Sequence, residues 1–159
     1  MTLVPPLPSL SVSLSAVNVD KVASSAHALG LSTRVQLTAR VPARAGIAVV
    51  GRVLDSKATY NQLEDVNGRM RTVHRGDVVV GVLGFRRALR GYSGDVPARV
   101  DVGDVLHLLN LGGVIGQCTS ACADVGPPAR VEILGAVDMG GEPASIFPGR
   151  VPLLDVLPP

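Results

Sequence analysis

Two stretches hold most of the residues in this 159-residue chain whose types and spacing suit chemistry. The first is Gly84-Phe85-Arg86-Arg87-Ala88-Leu89-Arg90-Gly91-Tyr92-Ser93-Gly94-Asp95, which carries three arginines and two of the chain's four aromatic residues. A helical turn here would place Arg86 and Arg90 on one face and Phe85 and Leu89 on another. Apolar contacts would anchor the turn. The forked guanidinium groups of Arg86, Arg87 and Arg90 would then face a phosphate, nucleotide or carboxylate ligand. Arg69, Arg75 and Arg99 are basic residues that could join them. The plainer alternative is a solvated loop whose arginines pair with Asp77, Asp95 or Asp101, as surface ion pairs commonly do.

The second stretch is Gly112-Gly113-Val114-Ile115-Gly116-Gln117-Cys118-Thr119-Ser120-Ala121-Cys122. Gly112, Gly113 and Gly116 would let backbone approach a ligand closely. A nucleophilic Cys118 would need a base, and His107 or His74 is the available one. A zinc ion could take Cys118, Cys122, His74 and His107. Against both, Cys-x3-Cys is not the usual zinc spacing, and His107 alternates with Leu106 and Leu108 on an expected strand. A buried, inert cysteine is the commoner arrangement, so no metal site is favoured. The glycine run is neither a phosphate loop, which needs Gly-Lys-Ser/Thr, nor a dinucleotide fingerprint, which needs a strand–helix context. No paired carboxylates suggest glycosidase or two-metal chemistry.

Short strands would have to position these residues. Arg34–Val41 alternates apolar and polar residues, the pattern of a half-buried strand. Gly46–Leu54 is a nearly continuous apolar run, which suggests a strand buried on both faces. Asn67-Gly68 predicts a two-residue type I′ hairpin that sets Glu64 opposite Arg71 and Asn61 opposite His74. Arg75-Gly76-Asp77 followed by Val78–Gly84 is echoed 27 residues later by Val102-Gly103-Asp104 and Val105–Leu109. Either a duplication or chance recurrence in a β-rich chain accounts for that echo. Val114–Gln117 and Arg130–Val137 supply further strands. Asn18-Val19-Asp20 offers a helix start and Gly30 a stop, which predicts one short helix between them, with His27 at its edge.

These elements predict an all-β protein: a small closed or partly open β-barrel of about seven short strands with one short N-terminal helix. The expected organisation is an arm and helix over 1–33, the barrel over 34–137 and a Gly/Pro-rich tail over 138–159. Hydrophobic residues make up 47% of the chain, which argues against disorder. With no Trp, two Tyr and two Phe, the chain is a poor stacking platform, so nucleic acid is not an expected partner. No apolar run reaches the length of a membrane-spanning helix, and the first charges are Asp20 and Lys21, so no basic flank of a signal peptide precedes them. A cytoplasmic location follows as the expectation. The net charge of +2 conceals a balance of +7 over residues 34–99 and −5 over residues 101–159. Such a division suits an anionic ligand or contact between copies.

The stretches RVQLTARVPARAGIAVVGRVLDSKATYNQLE, GDVVVGVLGFRRALRGYSGDVP and LHLLNLGGVIGQCTS resemble the N-terminal β-domain of uncharacterised bacterial proteins in which a P-loop nucleotide-binding domain follows. The resemblance implies a fold unit over about 34–137 and a nucleotide-binding neighbour. It carries over no catalytic residue, and no phosphate loop follows in this sequence.

The leading expectation is therefore a non-catalytic module that binds a small anionic ligand or a nucleotide-binding partner domain, with no cofactor. The alternatives are a cysteine- or zinc-dependent enzyme using Cys118 with His107 or His74, and a structural subunit that forms homo-oligomers.

Overall fold

The computed structural model describes residues 13–147. The start of the expected arm and the VPLLDVLPP end of the tail lie outside them. Strand β1 (Ser13–Asn18) is followed by the two-residue β2 (Lys21–Val22), a 3-10 helix over Ser24–Leu29, β3 (Arg34–Thr38) and β4 (Ala48–Val53). A hairpin of β5 (Gln62–Glu64) and β6 (Met70–Thr72) leads to β7 (Val78–Leu83) and β8 (Tyr92–Asp95). Then come β9 (Val105–Leu108), β10 (Val114–Ala121), β11 (Arg130–Met139) and β12 (Glu142–Pro143).

The protein is all-β. Its main sheet runs β1-β3-β11-β4-β7-β10-β8, and β9 joins both β10 and β11. The pairings β11–β4–β7–β10–β9–β11 thus make a circuit, but an uneven one. Strands β4 and β7 match over five residue pairs, whereas β7–β10 and β9–β10 match over two each. The β7–β10 contact is parallel and the others in the circuit are antiparallel.

Patterning decides which residues fill the interior. In β3, Val35 and Leu37 are buried while Arg34 and Gln36 are exposed, as alternation requires. Strand β4 is buried on both faces except at Arg52. Ala48 and Val50 pack on one side with Val80, Val82 and Val137; Ile47 and Val49 pack on the other with Leu83, Ile115 and Ile133. Each such aliphatic side chain contributes roughly 1.5–3 kcal/mol on burial.

Three local expectations need correction. The helix predicted from Asp20 onward begins instead with β2, because Lys21 and Val22 pair in parallel with Val79 and Val80 of β7. The Asp20 carboxylate, expected to cap the helix, accepts the N–H of Val78. Tertiary pairing overrides a weak helical signal, and only the 3-10 helix remains, ended by Gly30 at φ 62°.

The hairpin is shifted by one residue. Gln62, Leu63 and Glu64 face Thr72, Arg71 and Met70. The cause is Asp65, whose Oδ1 accepts the N–H groups of Asn67 and Arg69 and thereby fixes a three-residue loop. Gly68 alone takes positive φ there, at 81°, where a type I′ turn would need two such residues. Glu64 consequently accepts a hydrogen bond from Ser24, and Arg71 lies 3.9 Å from Asp65.

Residues 84–95 form no helical turn. Arg86 and Gly94 bond to each other's backbone at 2.9 and 3.0 Å, so the segment is a tight antiparallel loop leading into β8.

The two Gly-Asp stretches do share a turn. Gly76 and Gly103 adopt φ 94° and 96°. Asp77 accepts the N–H of His74 at 2.9 Å, and Asp104 accepts that of Asp101 at 2.8 Å. The strands they introduce occupy different places in the sheet: β7 lies between β4 and β10, and β9 between β10 and β11. The residues expected to form a tail also join the sheet, since β12 pairs with β11 and Ser145 bridges Ile47.

Candidate functional site

The loop after β4 and the loop before β11 meet at one end of the sheet, and most of the perturbed titratable groups among the described residues gather there. Leu54 bonds to the carbonyl of Arg130, which brings Asp55 alongside. Asp55 accepts from Arg130 three times: from the backbone N–H at 2.9 Å, from Nε at 3.1 Å and from Nη2 at 2.9 Å. The forked guanidinium of Arg130, with further help from Arg75, holds the Asp55 carboxyl below its usual range.

Lys57 turns inward from the same loop. Its Nζ donates to the carbonyls of Val125 at 2.9 Å and Pro127 at 2.7 Å. Burial pushes its pKa down. The Tyr92 hydroxyl, arriving from β8, donates to the same two oxygens at 2.9 and 3.3 Å. Lys57 also stands 5.8 Å from the centre of the Tyr92 ring, a cation–π arrangement. Tyr60 meets that ring edge to face at 5.3 Å. Tyr60 is the one residue other than glycine with positive φ among those described, at 56°. Backbone strain of this kind persists where surrounding structure over-determines it, and it concentrates at binding sites.

His107 sits on β9 directly opposite Arg130. Its Nδ1 accepts the backbone N–H of Cys118 at 3.1 Å, which places the imidazole proton on Nε2. Burial, and then the charge of Arg130, lower its pKa and so favour the neutral ring.

These groups border a cleft of about 500 Å³ between Ser56, Thr59, His107, Pro127 and Arg130. Asp55 and Lys57 also line a narrower cavity behind it, walled by Tyr60, Tyr92 and Asn110, whose roughly 20 Å³ suffices for one water molecule.

The residues singled out from sequence fall in several places. Arg86 points inward: its Nη1 donates to the carbonyls of Leu109 at 2.6 Å and Tyr92 at 3.3 Å. Arg87 pairs with Asp95 at 2.9 Å and bonds the carbonyl of Gly94. Arg90 is exposed at the loop tip. The three guanidinium groups therefore do not form one outward-facing cluster. Gly113, at φ 90°, leaves no room for a Cβ against Ala23, and a Cβ at Gly116 would meet the carbonyls of Gly84 and Asp95 at 2.9 Å. Both glycines are accounted for by packing between strands. Gly112 lies near Ser24 and Asn110.

Cys118 and His107 are neighbours, but the imidazole accepts from the backbone of Cys118 and not from its thiol. The Cys118 sulfur donates to the carbonyl of Ser120 at 3.3 Å. Burial raises its pKa, the reverse of what an activated thiolate needs. Cys122 is a free thiol, and His74 is exposed on the turn before β7, in a groove with Lys21 and Arg71. Among the described residues no three His, Cys, Asp or Glu side chains converge as a metal ion would require, so Cys118, Cys122, His74 and His107 do not assemble into the zinc site considered above. No helix among them is long and apolar enough to cross a membrane.

Sequence reasoning passed over Asp55, Lys57, Tyr60 and Arg130. One signal was present: Asp55-Ser56-Lys57-Ala58-Thr59-Tyr60 gathers one of only two lysines and one of two tyrosines into a polar loop between apolar strands. Compared with known proteins, the chain matches no family model, no curated sequence and no solved structure.

Proposed function

We propose that the protein is a non-catalytic β module that binds a small anion, a phosphate, nucleotide or carboxylate, in the cleft between residues 55–60 and 125–130. In this reading the uneven circuit of strands serves as a partly open barrel whose loops build the site. The observation that carries it is the charge around the cleft. Lys57 and Arg130 line the cleft against a single carboxylate, Asp55, which Arg75 also influences from beyond the lining, beside an imidazole whose Nδ1 is already engaged. A ligand anion would complete the balance, receiving hydrogen bonds from His107 Nε2 and the hydroxyls of Ser56 and Thr59. A nucleotide-binding partner domain could present such an anion. The raised pKa of Cys118 and the engagement of His107 weigh against the cysteine-enzyme alternative.

Thermal unfolding of the full chain with inorganic phosphate, adenine nucleotides and dicarboxylates tests the proposal. At least one should raise Tm, since binding to the folded state alone stabilises it by about 2.7 kcal/mol at a hundredfold excess over Kd. Arg75→Ala should reduce that rise while leaving the unliganded Tm in place. If none of the three anion classes raises the wild-type Tm, the proposal falls.

A further inference from the structure

Among the described residues, strand β6 pairs with β5 and with no other strand. The hydrogen bonds that flank the hairpin fix which backbone groups point where. Val73 donates to Asn61, and Asp65 donates to the carbonyl of Arg69. Bonded pairs in an antiparallel ladder recur every second residue, so Leu63 and Arg71 form the bonded pair between them. The N–H and C=O groups of Met70 and Thr72 therefore point away from β5. The opposite edge of the hairpin is already occupied, because Glu64 donates to the carbonyl of Leu111 at 2.7 Å. The hairpin is thus closed on the β5 side and open on the β6 side. All three residues of β6 are exposed.

An open edge invites another strand unless something blocks it. Met70–Thr72 contains no Pro, and its one charge, Arg71, repels a like-charged strand while leaving an acidic one free to pair. Arg69 and Arg71, two residues apart, share one face. Lys21 lines the same groove with its ammonium held by Asp77 at 2.7 Å, so Arg69 and Arg71 carry the free charge of this edge. Arg71 has only a 3.9 Å approach to Asp65, with its side chain 48% exposed.

We infer that β6 is a docking edge for an extended acidic segment of a partner protein, which adds to the hairpin as its third strand. Main-chain bonds to Met70 and Thr72 would hold the segment, and carboxylates spaced two residues apart would meet Arg69 and Arg71. A second copy of this chain does not fit the same edge: two β6 strands related by a two-fold axis would set these arginines against their own counterparts, and like charges directly opposite are destabilising. This surface is separate from the anion cleft and does not depend on it.

The test titrates the full chain against a fluorescein-labelled peptide in which Glu alternates with Val, read by fluorescence anisotropy. A peptide of equal composition with its glutamates in one block is the comparison. The alternating peptide should bind several-fold more tightly, and more weakly as salt rises from about 0.02 to 0.15 M. On binding, amide exchange at Met70 and Thr72 should slow. Thr72→Pro removes an outward N–H that the hairpin does not use, and should weaken binding about tenfold or more. Arg71→Glu should abolish it. Equal affinity for the block peptide, or unchanged exchange at Met70 and Thr72, would overturn the inference. So would full affinity in Thr72→Pro. If Thr72→Pro lowers Tm, the wild-type exchange pattern and Arg71→Glu decide the matter.

Discussion

The ammonium of Lys57 and the hydroxyl of Tyr92 donate to the same two carbonyl oxygens, those of Val125 and Pro127. Three segments remote in sequence are fastened at that point, and the cleft wall depends on it. Tyr92→Phe keeps the ring and deletes the donor, at an expected cost of about 1 kcal/mol. Lys57→Met should cost a similar amount. Because the two donors share acceptors, the double variant should cost less or more than the sum of the two, by about 0.5 kcal/mol or more. Urea denaturation of the four proteins gives the coupling directly; strict additivity would show that each donor acts alone.

His107 gives the protein a pH signature. Its pKa is lower folded than unfolded, so between those values the unfolded chain binds more protons. The stabilisation from the neutral ring is complete above the unfolded pKa of about 6.5 and is lost as pH falls towards the folded value. The pKa values of Asp55, Asp65 and Asp77 are shifted downward, away from the window between pH 5 and 7. Wild-type Tm should fall across that window, and His107→Asn should flatten the decline. A wild-type Tm constant from pH 7 to 5 would contradict the assignment.

Gly113 separates packing from binding. With φ 90° and a Cβ position blocked by Ala23, Gly113→Ala should destabilise the chain by about 2–4 kcal/mol with no ligand present. A stable Gly113→Ala variant that merely lost ligand affinity would return this glycine to the binding site.

Asp65 rather than Arg71 should control the hairpin. The N–H of Arg69, chiefly, and that of Asn67 hold the Asp65 carboxyl below its usual range. Asp65→Ala should lower Tm and speed amide exchange at both positions. Arg71→Ala should leave Tm within error, because a 3.9 Å approach at the surface contributes little. The reverse ranking would restore the two-residue turn and its Glu64–Arg71 pair.

The alternation of Arg34–Thr38 and the apolar run of β4 were legible because both report burial, which side-chain type encodes directly. The paired Gly-Asp turns were legible for a local reason: a glycine at positive φ and a carboxylate accepting an N–H three residues back need no distant partner. The hairpin register was misread because Asn67-Gly68 was weighed without the side chain of Asp65. Strand β2 was hidden because its stability comes from β7, far along the chain. The cleft was illegible for the same reason. Asp55 and Arg130, or Lys57 and Pro127, are remote in sequence, and nothing in either segment names the other. Arginine density drew attention to residues 86–90, where two of the three guanidinium groups are spent on carbonyls and an aspartate.

Strand β11 pairs with β3, β4, β9 and β12, and it is the last long strand of the described chain. During synthesis, then, β4 and β7 emerge well before the strand that covers them. At ribosomal speeds of roughly 5–20 residues per second, the interval between β4 and the end of β11 is on the order of ten seconds. Throughout it, Val49, Val50, Val79 and Val80 have no complete interior to enter. The nascent chain must be guarded from neighbours for that time, which makes yield in the cell sensitive to translation rate and chaperone supply even where the finished protein is stable.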